Sequence, residues 1–301
     1  MFDYSSLFAL AAVVREGSFE RASRVLHVTP SAVSQRVRLL EERVGCALVT
    51  RGQPCEATEA GRRLCQHVDR VQMLEHELQA DMPVFERVGT SRVNVPVAVN
   101  ADSLATWFVP SAVAFATKAP VLLQVAVDDE GHTAQWLRSG QVLAAVTASE
   151  QPAMGCNSHA LGSMRYVAAA SPSFVTKYFA KGVNADTLAQ APSLIFNAKD
   201  ELQQRWVERL CGQPVEIPRQ ALPSPHAFVA AAMGGMGWAM HPLALVQDCL
   251  ARGLLVQLQP GDPWDVPLFW QHARVASNLL RELTRAVVIA ARAGLAPSQP
   301  S

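Results

Sequence analysis

The 301-residue sequence predicts an α/β protein with an all-α N-terminus: short helices and a strand pair, one long helix, then two α/β lobes. Three observations predict it. Apolar residues recur at helical spacing up to about residue 45. One unbroken helical pattern follows from Thr58 to about Asp81, ended by Pro83. From residue 92 onward, short β-type runs alternate with helical ones in two series.

The first helix, about Ser5 to Arg15, turns Leu7, Leu10, Ala11 and Val14 inward. Ser18 caps the second, which turns Phe19, Ala22, Val25 and Leu26 inward. After a turn through His27 and Val28, Thr29 and Pro30 supply a hydroxyl cap and a proline at the first helical position, and Gly45 supplies the stop. Val33, Val37, Leu40 and Val44 make that third helix's apolar stripe. "ALVTRGQPCEAT" (47–58) reads as two short strands around a Gly/Pro turn. In the long helix, Leu64, Val68, Val71, Leu74 and Leu78 keep near-heptad spacing, which suits pairing with a second copy. "GTSR" (89–92) reads as a hinge.

Beyond it, "RVNVPVAVN" (92–100) is a strand, and Asp102-Ser103 caps a helix to about Ala119. "VLLQVAV" (121–127), a helix at 133–139 and "VLAAVT" (142–147) complete the first series. The second holds "MRYVAAA", "SLIFN", a helix at 201–210, "VEIPRQAL", a helix from Ser224, "GWAM" and a helix at 243–252. "VPLFWQ" (266–271) and a helix at 278–293 close the chain. Such alternation predicts doubly wound sheets in two similar lobes. The implied domains are 1–58, a linker helix over 59–88, and 89–301, with lobe 1 about 92–161 plus 267–301 and lobe 2 about 162–266.

Composition narrows the classes. Half the residues are hydrophobic, 17% are charged and net charge is zero, so no whole-protein field draws the chain to nucleic acid or membrane. Charge is unevenly placed: residues 21–51 carry six arginines against Glu41 and Glu42. The six cysteines show no C-x-x-C spacing and read as reduced thiols. "LFALAAVV" (7–14) lacks the basic flank and cleavage site of a signal peptide, and "AFVAAAMGGMGWAM" (227–240) is too short to span a bilayer, so a cytoplasmic location with no membrane partner is expected. "MGGMG" (233–237) lacks the residues of a phosphate loop, and no H-E-x-x-H or G-x-S-x-G occurs. We expect neither an enzyme nor a metal site.

The third helix is unusual on its polar side. Ser31, Ser34, Gln35 and Arg38 stand where a solvated face carries Glu and Lys. Two short helices with such a second face fit a helix-turn-helix, whose second helix enters the DNA major groove. Short hydroxyls allow close approach, Gln35 can pair with adenine, and arginine can reach guanine or a phosphate. Arg21, Thr29, Arg36 and Arg51 complete the candidate DNA-binding set, with Arg36 on the flank as a phosphate contact. The competing readings are a plain solvated face, or a helical oligomerisation segment on a ligand-binding or enzymatic α/β protein; the latter calls for an apolar face.

The run "FERASRVLHVTPSAVSQRVRLLEERVGCALVTR" followed by "TEAG" (58–61) resembles the LysR-type transcriptional regulators. Within them, "VNADSLATWF", "DDEGHT", "GWAMHP" and "DVPLFWQ" resemble the ArgP/LysG branch, regulators of basic-amino-acid export. The resemblance implies a winged helix-turn-helix, a linker helix and a two-lobed effector domain like periplasmic binding proteins. It implies double-stranded DNA with a pseudo-palindromic operator and RNA polymerase as partners, a homodimer or homotetramer, and a small effector, lysine or arginine, with no cofactor. One departure stands in the wing: Cys55, Glu56 and Ala57 replace the proline and basic residue that the branch tends to carry there.

In paired α/β lobes, ligands sit at the carboxyl ends of strands. Asn100, Asp102 and Ser103 open a helix after the first strand, where free N–H groups suit a carboxylate. Asp128, Asp129 and Glu130 follow the next strand and suit a side-chain cation. Thr147, Asn197, Ser224 and His226 complete the candidate effector set. The alternative is that Asp102 or Ser103 merely caps its helix and the acids form a solvated loop. A different small-molecule effector also remains open.

Overall fold

The computed structural model describes residues 3–81, 93–118, 121–128, 133–138, 141–274 and 278–297. Two compact units form: Met1–Pro96, Pro120–Gln124 and Arg138–Leu143 in one, Val97–Ala119, Val125–Leu137 and Ala144–Ser301 in the other.

Local signals set the first three helices. α1 (Tyr4–Glu16) is capped by Asp3, whose carboxylate accepts from the Ser5 and Ser6 N–H groups, and it ends at Gly17 with φ 64°. Ser18 caps α2 (Phe19–Val25) by accepting from the Arg21 N–H. Thr29 caps α3 (Pro30–Val44) by accepting from the Ala32 N–H, and Gly45 closes it at φ 82°. Leu7, Leu10, Ala11, Ala22, Val33, Val37 and Leu40 form the shared core. Two expected core residues stay outside it: Val25 is 57% and Val44 37% exposed. α2 has only seven residues, so its buried face fits few side chains; Ser23 lies inside instead and donates to the Glu20 carbonyl.

β1 (Val49–Thr50) and β2 (Glu56–Ala57) pair antiparallel as a small wing, with Leu48 and Val49 reaching the core. α4 (Glu59–Asp81) follows. The Thr58 hydroxyl accepts from the Gly61 N–H and donates to the Ala47 carbonyl, fixing the start of α4 on the wing. A Cβ on Gly61 would stand 2.0 Å from the Leu48 carbonyl oxygen, so only glycine fits. The apolar stripe of α4 divides, contrary to a single seam. Val68 is fully buried in the α1–α3 core with Leu64 packed against it, whereas Leu74 and Leu78 are 49% and 55% exposed. Arg15 ties α1 to α4 through an ion pair with Asp69 and a 3.1 Å hydrogen bond to Gln72.

The α/β region runs β3 (Val93–Asn100), α5 (Ala101–Ser103), a π turn (Leu104–Phe108), α6 (Val109–Ala116), β4 (Val121–Asp128), α7 (Thr133–Arg138) and β5 (Ala144–Thr147). It continues with β6 (Cys156–Ala170), α8 (Pro172–Tyr178), α9 (Ala185–Leu188), β7 (Ser193–Ile195), α10 (Leu202–Cys211), β8 (Arg219–Ala221) and α11 (Pro225–Met233). β9 (Ala239–Pro242), α12 (Leu243–Ala251), β10 (Val256–Gln257), β11 (Trp264–Ala273) and α13 (Asn278–Gly294) complete it.

β10, β6, β11, β5, β3 and β4 lie side by side in that order, with β9 on β6, and β7 pairs β8 in a separate ladder. β3 with β5 and β7 with β8 are parallel, as the alternation predicts. The difference is β6, read as starting at Met164 but beginning at Cys156, which runs antiparallel to β11 along ten of that strand's residues. One mixed sheet therefore joins stretches that the alternation assigns to separate lobes. Behind its second half lies a core of Val167, Ala169, Leu194, Phe228, Ala232, Ala239, Val246 and Leu255.

Candidate nucleic-acid interface and effector site

Burial separates the two sides of α3. Val33, Val37 and Leu40 are at most 2% exposed. Ser31, Gln35 and Arg38 face solvent, with Ser34 half-buried beside them. Gln35 makes no side-chain hydrogen bond among the described residues, so its amide is unspent. The Ser31 hydroxyl lies 3.0 Å from that of Thr29 at the cap, and Arg38 reaches Glu42 at 2.8 Å. That exposed i,i+4 pair contributes little to stability. Arg36 is half-buried on the flank, off the row that Gln35 and Arg38 share.

The wing adds a wall. Phe19, Glu20, Pro30, Ser31, Ser34, Arg51, Gly52 and Gln53 line a groove of about 470 Å³. The Arg51 guanidinium sits 5.6 Å from the centre of the Phe19 ring, which holds this exposed cation beside the start of α3. Arg21, also exposed, lines a second groove with Arg15, Arg62 and Glu56. The wing departure is structural as well as electrostatic. Cys55 is buried, its N–H donates to the Gly17 carbonyl, and Glu56 is exposed on β2.

At the end of β3, Asn100 is 1% exposed, and neither atom of its carboxamide has a partner. A buried amide without partners costs free energy until something fills its donor and acceptor. Next to it, the Asp102 carboxylate accepts from the Tyr166 hydroxyl at 2.7 Å, and the Ser103 hydroxyl accepts from Trp107 Nε1 at 3.0 Å. The expected cap is displaced: Asn100 holds the N-cap position without a side-chain bond, and the helix starts at Ala101. The stretch changes to π geometry over Leu104–Phe108, just before Pro110. Proline offers no N–H to the preceding turn and crowds its carbonyls, so the helix widens there.

Thr147 is fully buried at the end of β5 and accepts from the Ser149 N–H. Asn197, after β7, accepts from the Lys199 N–H in its own turn. Ser224 caps α11 by accepting from the Ala227 N–H, and His226 is exposed on the first turn. Asp128 ends β4, while Asp129 and Glu130 lie outside the described residues, as does the expected hinge at 89–92. Asn100, Asp102 and Ser103 are thus brought together; Asn197 and Ser224 are committed to local turns.

Sequence reasoning missed Tyr166, whose hydroxyl holds Asp102. It also missed Gln271, fully buried, which donates to the Ser149 and Gln151 carbonyls and accepts from the Ala153 N–H. Tyr166 lay inside an apolar strand pattern; Gln271 could have been flagged as a polar end to the apolar run "VPLFW".

A short-polar recognition face, a bracing helix and a wing define a winged helix-turn-helix DNA-binding protein, here carrying an α/β domain with a buried polar cluster at the end of β3. Residues 4–62 match bacterial regulatory helix-turn-helix proteins of the lysR family, and residues 90–292 match the LysR substrate binding domain. The chain belongs to the LysR family. It is 42% identical to the HTH-type transcriptional regulator ArgP of Pseudomonas fluorescens over 94% of each chain. The crystal structure of ArgP from Mycobacterium tuberculosis, 41% identical, matches 99% of this chain and 100% of that one with a TM-score of 0.78. Full-length LysG from Corynebacterium glutamicum with bound effector Arg is 38% identical, covering 98% of this chain and 100% of that one, with a TM-score of 0.67. Among the described residues, no helix is long and apolar enough to cross a membrane.

Proposed function

We propose that this LysR-family regulator senses lysine or arginine and controls a gene of amino-acid export or metabolism. The likeness along nearly the whole chain to arginine-bound LysG carries the reading. The buried, unspent Asn100 carboxamide supports it, as a place for the effector's ammonium or carboxylate. Asp128, Asp129 and Glu130 are the candidate partners of the side-chain cation. In full-length protein, lysine or arginine is expected to bind roughly tenfold or more tightly than leucine, since a charged hydrogen bond contributes about 1.5–3 kcal/mol. Calorimetry decides it: equal heats for all three amino acids, or none, sink the reading.

On the DNA side, Ser31, Ser34, Gln35 and Arg38 read the major groove, while Arg21, Thr29, Arg36 and Arg51 contact the backbone. Gln35→Ala is expected to cost about 1–3 kcal/mol at one operator position and to relax specificity there. Gel shifts with single-base operator variants test this; parent-like discrimination at every position removes Gln35 from base reading.

The chain works as a homodimer or homotetramer in the cytoplasm, paired in part through the exposed Leu74 and Leu78, and meets RNA polymerase at a pseudo-palindromic promoter site. Effector binding changes regulation by favouring one arrangement of the sensor domain over another. No catalytic step enters this mechanism.

A further inference from the structure

His159 and His272 belong to neither site above. They stand on adjacent antiparallel strands, His159 on β6 opposite Trp270 and His272 on β11 opposite Asn157. Their Nε2 atoms are 3.3 Å apart. The ring planes agree to 10° and the centroids are 5.4 Å apart, so the two Nε2 edges meet nearly head-on. His272 Nδ1 lies 3.0 Å from the Ala273 carbonyl oxygen. A carbonyl only accepts, so the proton is on Nδ1 and Nε2 of His272 carries a lone pair. His159 then donates its own Nε2–H across the strands.

We propose that this pair is a chelating site for a borderline divalent transition metal: zinc, nickel or copper. Two nitrogens held about 2.0–2.1 Å from one tetrahedral zinc stand about 3.3–3.4 Å apart, which matches the Nε2 separation of this pair. The Ala273 carbonyl is the outer partner that metal-bound imidazoles use to fix tautomer and ring orientation. His159 is exposed. It can move its proton to Nδ1 and turn its ring until both lone pairs converge on the ion, with no net proton released. Among the described residues, no group of three or more His, Cys, Asp or Glu can hold a metal, so water completes the coordination.

Calorimetric titration of metal-free, full-length protein with the chlorides of Cu²⁺, Ni²⁺ and Zn²⁺ tests the site. The expected result is one ion per chain at this pair, copper tightest. His159→Ala, an exposed change that leaves the fold intact, is expected to weaken that equivalent roughly tenfold or more, since losing even an outer-shell partner costs about that much. Paramagnetic resonance of the copper-loaded protein is expected to show two coupled imidazole nitrogens, and one in the variant. Parent-like affinity and stoichiometry in both His159→Ala and His272→Gln overturn the proposal. So does the absence of any binding tighter than millimolar, which leaves the pair as a hydrogen bond alone.

Discussion

Gly61→Ala is expected to cost about 3 kcal/mol or more, at or above the top of the range for overpacking, and to abolish operator binding. The added carbon would meet the Leu48 carbonyl oxygen at 2.0 Å. That oxygen cannot yield freely, because it accepts the Thr58 N–H at 3.0 Å. Nor can α4 slide away without breaking the Thr58 bonds to Gly61 and Ala47 and lifting Val68 from the core. The misplaced wing would carry Arg51 away from α3. Denaturation followed by circular dichroism, with a gel shift on the same preparation, checks both effects. A variant that melts and binds like the parent would show that the wing and α4 adapt more easily than this contact allows.

The second large effect is a fall in stability on acidification that His241 causes. This residue on β9 is fully buried, stands opposite Val167 and packs edge-on against Phe228 at 6.4 Å. Neither ring nitrogen has a hydrogen-bond partner of good geometry. Burial pushes its pKa down from 6.5 to about 4, and the nearby Ala169 backbone offsets only part of that. The neutral ring is therefore the folded form, while the unfolded chain takes up a proton below pH ~6.5. Stability from this group is complete above about pH 6.5 and drains away as pH falls towards about 4, by about 3 kcal/mol in all. His241→Leu should remove most of that slope and leave stability at pH 7.5 equal or higher, because two buried nitrogens without partners disappear. His272, also lowered by burial, leaves a smaller residual slope in the same window. Denaturant midpoints at pH 7.5, 6 and 5 for parent and variant decide it; parallel losses in the two clear His241.

The parts legible in the sequence were those set by neighbouring residues. The caps at Ser18 and Thr29, the stop at Gly45 and the stripe Val33, Val37 and Leu40 act within a few residues, and each stands where periodicity and cap chemistry place it. What needed three dimensions stayed hidden. The stripe on α4 gives no sign that Val68 is spent on its own domain while Leu74 and Leu78 remain outside. The first half of β6, "CNSHALGS", is largely polar and carries Gly162 near its end, so its strand character comes from the β11 ladder rather than from its own side chains. At the candidate effector site, strand-end logic selected Asn100, Asp102 and Ser103 together. Only the fold separates the unspent Asn100 from Asp102 and Ser103, which already hold Tyr166 and Trp107.

The long β6–β11 ladder also fixes an order of events during synthesis. β11, residues Trp264–Ala273, fills the gap between β5 and β6, so the sheet cannot close until the chain through Ala273 has left the ribosome. Such distant pairing makes the sensor domain a slow folder. The α1–α3 core with its wing and the first part of α4 draws only on residues up to Val68. Its contacts are local in sequence, and N-terminal domains fold first during translation. The helix-turn-helix end of the molecule is therefore complete before the sheet of the α/β region can close.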